Sequence, residues 1–176
     1  MEYNLNGVVV KDLGLSLKFK YPPYGNYHCH TGGREKHEKD MVEQFINCLM
    51  RTGRYTGKKQ SAWKLLMEVF KKMEENNLNP LAVLTTAVEN CAPIESSVHL
   101  QIGGTSVWKA VDVSSERRFS VAIKNICSSV TNRKRKNKST IDALFNELMY
   151  AYKNDANNSS AIRRRLETER IAQSAR

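Results

Sequence analysis

"NPLAVLTTAVENCAP", residues 79–93, specifies a helix together with both of its ends. Asn79 is an N-cap residue, whose side-chain oxygen can accept from the unpaired amides of a first turn, and Pro80 suits the first helical position because it has no N–H to leave unsatisfied. Leu81, Leu84, Ala87, Val88 and Cys91 recur at three- and four-residue spacing and so share one side. Pro93 cannot continue the ladder, and the helix stops before it. A stripe this apolar has to be buried against other elements, so its neighbours decide the fold class.

Those neighbours are mostly helices too. Met41, Val42, Phe45, Ile46, Leu49 and Met50 predict a helix over 38–50, broken by the two glycines of "RTGRYTGKK" (51–59). Ala62, Leu65, Leu66, Val69, Phe70 and Met73 predict a second, running out at the polar "ENNLN" (75–79). Downstream, Phe119, Ala122, Ile123, Ile126, Cys127 and Val130 follow a cap at Ser114 or Ser115. Ser139 with Asp142 gives a capping-box-like start to Ile141, Leu144, Phe145, Leu148, Met149 and Tyr152. A last helix is expected from Ser160 to near residue 176; its apolar stripe of Ile162, Leu166 and Ile171 is thin, so it is expected to lean on something other than the core.

Only between Ser97 and Val113 does the period fall to two. Val98, Leu100 and Ile102 alternate with polar residues, and Gly103-Gly104 precede Val107, Val111 and Val113, which predicts a β-hairpin at about 98–113. Residues 1–37 mix prolines, glycines, aromatics and cations without a sustained period. The expected architecture is mainly α: a single helical domain of about six helices over 38–176, with one protruding β-hairpin and an irregular N-terminal arm.

The chain has 176 residues, enough for a buried core, and its 28 Lys and Arg against 18 Asp and Glu leave a net charge of +10. That balance favours an anionic partner, nucleic acid before an acidic membrane surface. No apolar run approaches the roughly 20 residues a membrane-spanning helix needs, and no basic-then-apolar secretory pattern opens the sequence, so an intracellular, membrane-free protein is expected. Cys29, Cys48, Cys91 and Cys127 are scattered, and no disulfide is expected. His28, Cys29, His30 and His37 lie close together but at poor spacing for zinc, so no metal or other cofactor is expected. Neither a nucleotide-binding glycine loop nor G-x-S-x-G occurs, and no paired carboxylates suggest acid–base chemistry; an enzyme is not expected.

The cations gather at helix ends. Lys58 and Lys59 open one helix and Arg117 and Arg118 another, where the macrodipole already supplies positive charge, so a pair of cations there is misplaced unless an anion comes to it. The plain alternative is a solvated surface. "TNRKRKNKST" (131–140) sets Arg133, Lys134, Arg135, Lys136 and Lys138 after a helix C-terminus, more than the dipole there requires. Phosphate backbone, RNA in preference to DNA, is the partner that fits. The arm supports RNA by interleaving Phe19, Tyr21, Tyr24 and Tyr27 with Lys18, Lys20 and Arg34, a mixture suited to unpaired bases, although aromatics also serve to anchor an arm on a core. A free-standing helical DNA- or RNA-binding regulator would use the same surface, and composition leaves both open.

Read end to end, "VEQFINCLMRTGRYTGKK" (42–59), "NPLAVLTTAVENCAP" (79–93), "AVDVSSERR" (110–118) and "NNSSAIRRRLETERIAQSAR" (157–176) resemble, in order, the small-subunit ribosomal protein family numbered seven in the universal scheme and five in eukaryotes. The last block is similar to the eukaryotic and archaeal branch. The resemblance implies a non-catalytic protein of the cytoplasmic ribosome, assembled in the nucleus or nucleolus in a eukaryote. It implies binding to the 3′ major domain of small-subunit rRNA and a part in assembling the head, beside the messenger exit channel and exit-site tRNA. By position, Lys58, Lys59, Arg117 and Arg118 match the rRNA-facing cations, and Lys124 is placed with them. The hairpin, with Gly103, Gly104, Trp108 and Lys109, matches the element near messenger and exit-site tRNA. Arg163, Arg164, Arg165 and Arg176 fall in the C-terminal segment that lies toward the platform and the neighbour protein numbered eleven, and are placed with the hairpin residues near messenger and tRNA. The chain departs from eukaryotic relatives in carrying Val107-Trp108 where paired arginines are usual, which leaves Trp108 either stacking on a base or packing on the hairpin.

Overall fold

The computed structural model describes residues 8–16, 19, 40–51, 55–134 and 139–176. In these the chain forms α1 (Leu13–Ser16), α2 (Met41–Leu49), α3 (Lys59–Glu75), α4 (Pro80–Cys91), β1 (Glu95–Ile102), β2 (Thr105–Asp112), α5 (Ser115–Lys134), α6 (Thr140–Tyr152) and α7 (Ser160–Ser174). The fold is mainly helical with one small hairpin, as the periodicities predict.

The helix ends have local causes. Asn79 caps α4 by accepting from the Leu81 amide at 3.1 Å, with Pro80 in the first turn. The α3 helix stops where Asn77 takes a left-handed conformation at φ 57°, letting the Leu78 amide reach back to the Met73 carbonyl at 3.0 Å. Asn154 does the same after α6, at φ 54°. At Ser139 the predicted capping box is not completed: the Ser139 side chain makes no cap hydrogen bond to the backbone, and Asp142, besides its hydrogen bond with the Ser139 side chain, pairs with Lys72 of α3, 2.6 Å away.

The core lies where the apolar faces of α2 to α6 meet, with Phe45, Phe70, Leu84, Ile126, Leu144 and Leu148 fully buried. The long helix α5 touches α1, α2, α4, α6 and α7, and α4 packs chiefly on α6 and α5. A fully buried side chain of this kind stabilises the fold by about 1.5–3 kcal/mol, which is why two short stripes on separate helices suffice to hold them together.

Two expectations are corrected. The last helix does lean on the core: α7 packs on α5 and β1 and buries Ala161, Ile162 and Ala172. Its stripe reads as thin because polar contacts complete the docking. Glu147 of α6, fully buried, accepts from the Ser159 hydroxyl at 2.9 Å and the Ala161 amide at 3.2 Å, while Ser159 accepts from the Ile162 amide at 3.3 Å. The N-terminal amides of α7 are thus satisfied partly by a carboxylate from another helix. Arg165 then donates to the Asn90 carbonyl at the end of α4 (2.8 Å), and the Asn90 amide group donates to the Ala151 and Tyr152 carbonyls at the end of α6.

The second correction concerns the arm, whose described part is not irregular throughout. α1 is one helical turn, Leu15 is fully buried, and the buried Phe19 meets Phe119 of α5 edge to face at 5.6 Å. For Phe19, anchoring on the core is the role the structure gives. The Glu89 carboxylate of α4 accepts from the Lys11 and Asp12 amides at 2.9 and 3.1 Å.

The hairpin packs against α7, chiefly through β1. β1 and β2 pair antiparallel from Glu95–Asp112 to Ile102–Thr105, around a two-residue turn in which Gly103 and Gly104 have φ of 57° and 84°. That turn matches the twist of the strands, and a side chain at either position would strain it. The strands begin at Glu95, before the predicted Val98; Ser96 and Ser97, both polar, carry no strand signal although they are half-buried.

Replacing Glu147 with Ala is expected to lower the unfolding free energy by about 3 kcal/mol in denaturant titration, because two buried donors lose their acceptor. Glu147→Gln, which keeps one carbonyl oxygen, should cost less.

Candidate nucleic-acid interface

The cations at the helix starts do not form one class. Lys58 is exposed, whereas the Lys59 ammonium lies 2.9 Å from Glu43, a buried carboxylate on α2. That ion pair joins α2 to α3, so Lys59 is structural in the first instance. The same division separates Arg117 from Arg118. Adjacent helical residues point about 100° apart. Arg117 faces solvent, while Arg118 keeps only 13% of its side chain exposed; it donates to Asp12 at 2.6 Å and through Nε to the Pro93 carbonyl at 3.1 Å. Arg118 therefore clasps the N-terminal segment and the α4–β1 connection to the start of α5.

Beyond Arg117 the outer side of α5 continues with Lys124, two turns on and also exposed. Arg51, just past α2, belongs with it. The Cys48 thiol is drawn below the ordinary cysteine value by its hydrogen bond with the Cys127 thiol, against burial, and next by the charges of Arg51 and Lys124, which lie near it. Arg51 and Lys124 thus present positive charge near the seam of α2 and α5, with Arg117 two turns before Lys124 on α5. Arg51 was legible as a cation but not as a member of this surface, because only the packing of α2 on α5 brings it there.

On α7 the arginines split again. Arg163 is exposed. Arg164 donates to Ser128 of α5, Arg165 to Asn90, and Arg176, although exposed, pairs with Glu95 at the base of β1. The side chains named together from the sequence do not converge on one spot.

At the hairpin Gly103 and Gly104 form the tip, with Lys109 exposed on β2. Trp108 packs edge to face on His99 across the strands, with ring centroids 4.9 Å apart, yet 58% of it remains exposed. Packing on the hairpin and openness to a ligand coexist at this residue.

Arg133 and Lys134 belong to the last turn of α5. The expectations for Lys18, Lys20, Arg34, Arg135, Lys136 and Lys138, and for Tyr21, Tyr24, Tyr27, His28, Cys29, His30 and His37, fall outside the described residues. Among the described residues no group of three or more His, Cys, Asp and Glu could hold a metal ion, and no helix is long and apolar enough to cross a membrane.

Arg117→Ala is expected to change the unfolding free energy by no more than about 0.5 kcal/mol, and Arg118→Ala to lower it by about 2 kcal/mol, in denaturant titration. The Arg118 clasp also depends on pH. Its hydrogen bond holds the Asp12 carboxyl below the ordinary aspartate value, so the stabilisation is present above that value and is lost as pH falls through the depressed one. Asp12→Asn should remove this acid-side loss.

The sequence comparisons bear on what this surface serves. Residues 25–176 match the family described as ribosomal protein S7p/S5e. The small ribosomal subunit protein uS7 of Picrophilus torridus is 40% identical, over 99% of this chain and 96% of its own length. That of Thermoplasma volcanium is 42% identical over 99% and 98%, and that of Methanococcus aeolicus 37% over 99% and 96%. These relatives are archaeal, in agreement with the branch read from the C-terminal block. With near full-length identity of this order to several of its members, the chain belongs to the ribosomal protein S7p/S5e family.

Proposed function

We propose that this protein binds the 3′ major domain of small-subunit rRNA, takes part in assembling the head, and presents its hairpin toward messenger and exit-site tRNA. As a ribosomal family member the chain is an RNA-binding protein whose role is structural and not catalytic. The finer reading rests on one observation above all: the exposed cations Arg51, Lys58, Arg117 and Lys124 sit at the ends and outer sides of helices whose inner sides make one buried core. Cations on so rigid a frame bind a fixed arrangement of phosphates without ordering the backbone first, and each phosphate contact releases counterions. Lys59 and Arg118 support the same surface indirectly by holding α2 and α5 in place. Arg163 and the outer side of α7 extend it toward the neighbour protein numbered eleven.

Replacing Arg51, Lys58, Arg117 and Lys124 together with Ala should leave the circular dichroism spectrum unchanged. It should weaken binding to a 3′-major-domain rRNA fragment and make the salt dependence shallower, by about one unit of log–log slope for each cation that touches a phosphate. Wild-type protein should bind that fragment far more tightly than a DNA duplex of equal length; equal affinity would favour a DNA-binding regulator. Removing residues 102–106 and closing the strands with a short turn should spare folding and rRNA binding while impairing retention of exit-site tRNA on assembled ribosomes.

A further inference from the structure

The two faces of the hairpin differ. In the observed register, pairs alternate between sides, so Ser96–Val111, Val98–Lys109, Leu100–Val107 and Ile102–Thr105 share one face. The other carries Glu95–Asp112, Ser97–Ala110, His99–Trp108 and Gln101–Ser106. On this second face the indole of Trp108 meets the His99 ring at 4.9 Å and 64°, and more than half of the residue is open to water. Contact with His99 limits the rotamers of the indole, so the ring is ordered before any ligand arrives. A tryptophan serving only to stiffen the hairpin would be expected to lose more of its surface to the strands.

We propose that the exposed side of Trp108 is a stacking site for one unpaired RNA base, with Gln101 and Ser106, one pair nearer the tip on the same face, offering an amide and a hydroxyl to the base edge. This inference rests on the RNA-binding reading above and assigns the contact to one face of the hairpin. The chemistry around the ring suits a nucleotide. From Ser96 to Val111, "SSVHLQIGGTSVWKAV", there is no carboxylate to repel phosphate, and Lys109 follows the tryptophan directly. The acidic pair Glu95–Asp112 lies at the base of the face, where Arg176 engages Glu95, so the strand carrying the base is directed toward the tip. Stacking on an aromatic face tolerates any base and favours purines, whose ring system is larger.

The experiment uses the full chain and two short single strands, oligoadenylate and oligouridylate, beside the structured 3′-major-domain fragment. A Trp63→Phe variant leaves Trp108 as the only indole, and oligoadenylate should quench its fluorescence saturably, more strongly than oligouridylate. Trp108→Ala should lower affinity for oligoadenylate roughly five- to 150-fold, the range for losing one base stacked on one aromatic ring, while Trp108→Phe keeps most of it. Affinity for the structured fragment should be unchanged in both. Unquenched Trp108 fluorescence in saturating oligoadenylate, with the structured fragment still bound, overturns the stacking site and leaves the rRNA reading standing. Failure of the wild-type chain to bind the structured fragment overturns the rRNA reading itself. If Trp108→Ala disturbs the hairpin, the quenching measurement, made with the indole present, still decides.

Discussion

A single buried carboxylate sets where the last helix of the chain can go. Glu147 is wholly withdrawn from water in the interior of α6, a position that costs several kcal/mol unless the charge is met by donors. The donors are the Ser159 hydroxyl and the Ala161 amide at the start of α7, an end of a helix that favours negative charge. Neither side of this contact is tolerable alone, so α7 has to begin at this point against α6. Its direction then brings Arg165 to the end of α4 and Glu169 to the Ile94 amide at the root of the hairpin, 3.1 Å away. The placement of the hairpin is thus inherited in part from a carboxylate in the core.

The same contact marks the boundary of what could be read from the letters. α4 was legible from end to end because each determinant is local: Asn79, Pro80, an apolar stripe and Pro93. The hairpin turn was legible for the same reason, since Gly103-Gly104 between alternating residues leaves few other readings. α7 was legible as a helix but not as a packed one, because its docking relies on Glu147, Ser159 and Arg165, which in sequence look like surface residues. α1 and the burial of Leu15 were missed, because a four-residue helix has no period to detect and its partners are far along the chain; for Phe19, anchoring on the core was one of two readings left open.

For the candidate interface the sequence established how many cations there are, but not which are available. Arg117 and Arg118 are the same residue type at consecutive positions, yet one lies in water and the other bridges Asp12 and Pro93. Lys58 and Lys59 divide in the same manner. Dipole and composition arguments act on the pair and cannot tell its members apart; only the facing of the helix does. The net charge of +10 therefore does not say which cations are open to a ligand, since Lys59, Arg118 and Arg165 are committed to carboxylates and carbonyls inside the fold.

The clasp between Asp12 and Arg118 joins residues 106 positions apart, and Phe19 waits nearly as long for Phe119. Because a polypeptide is made from its N-terminus, the first segment to emerge is among the last that can settle. At about 5–20 residues per second, roughly 5–20 s of synthesis separate the appearance of Asp12 from that of its partner. During that interval Phe19 lacks the Phe119 ring, whereas Glu89 of α4, which accepts from the Lys11 and Asp12 amides, is made earlier and can receive the segment before α5 closes over it.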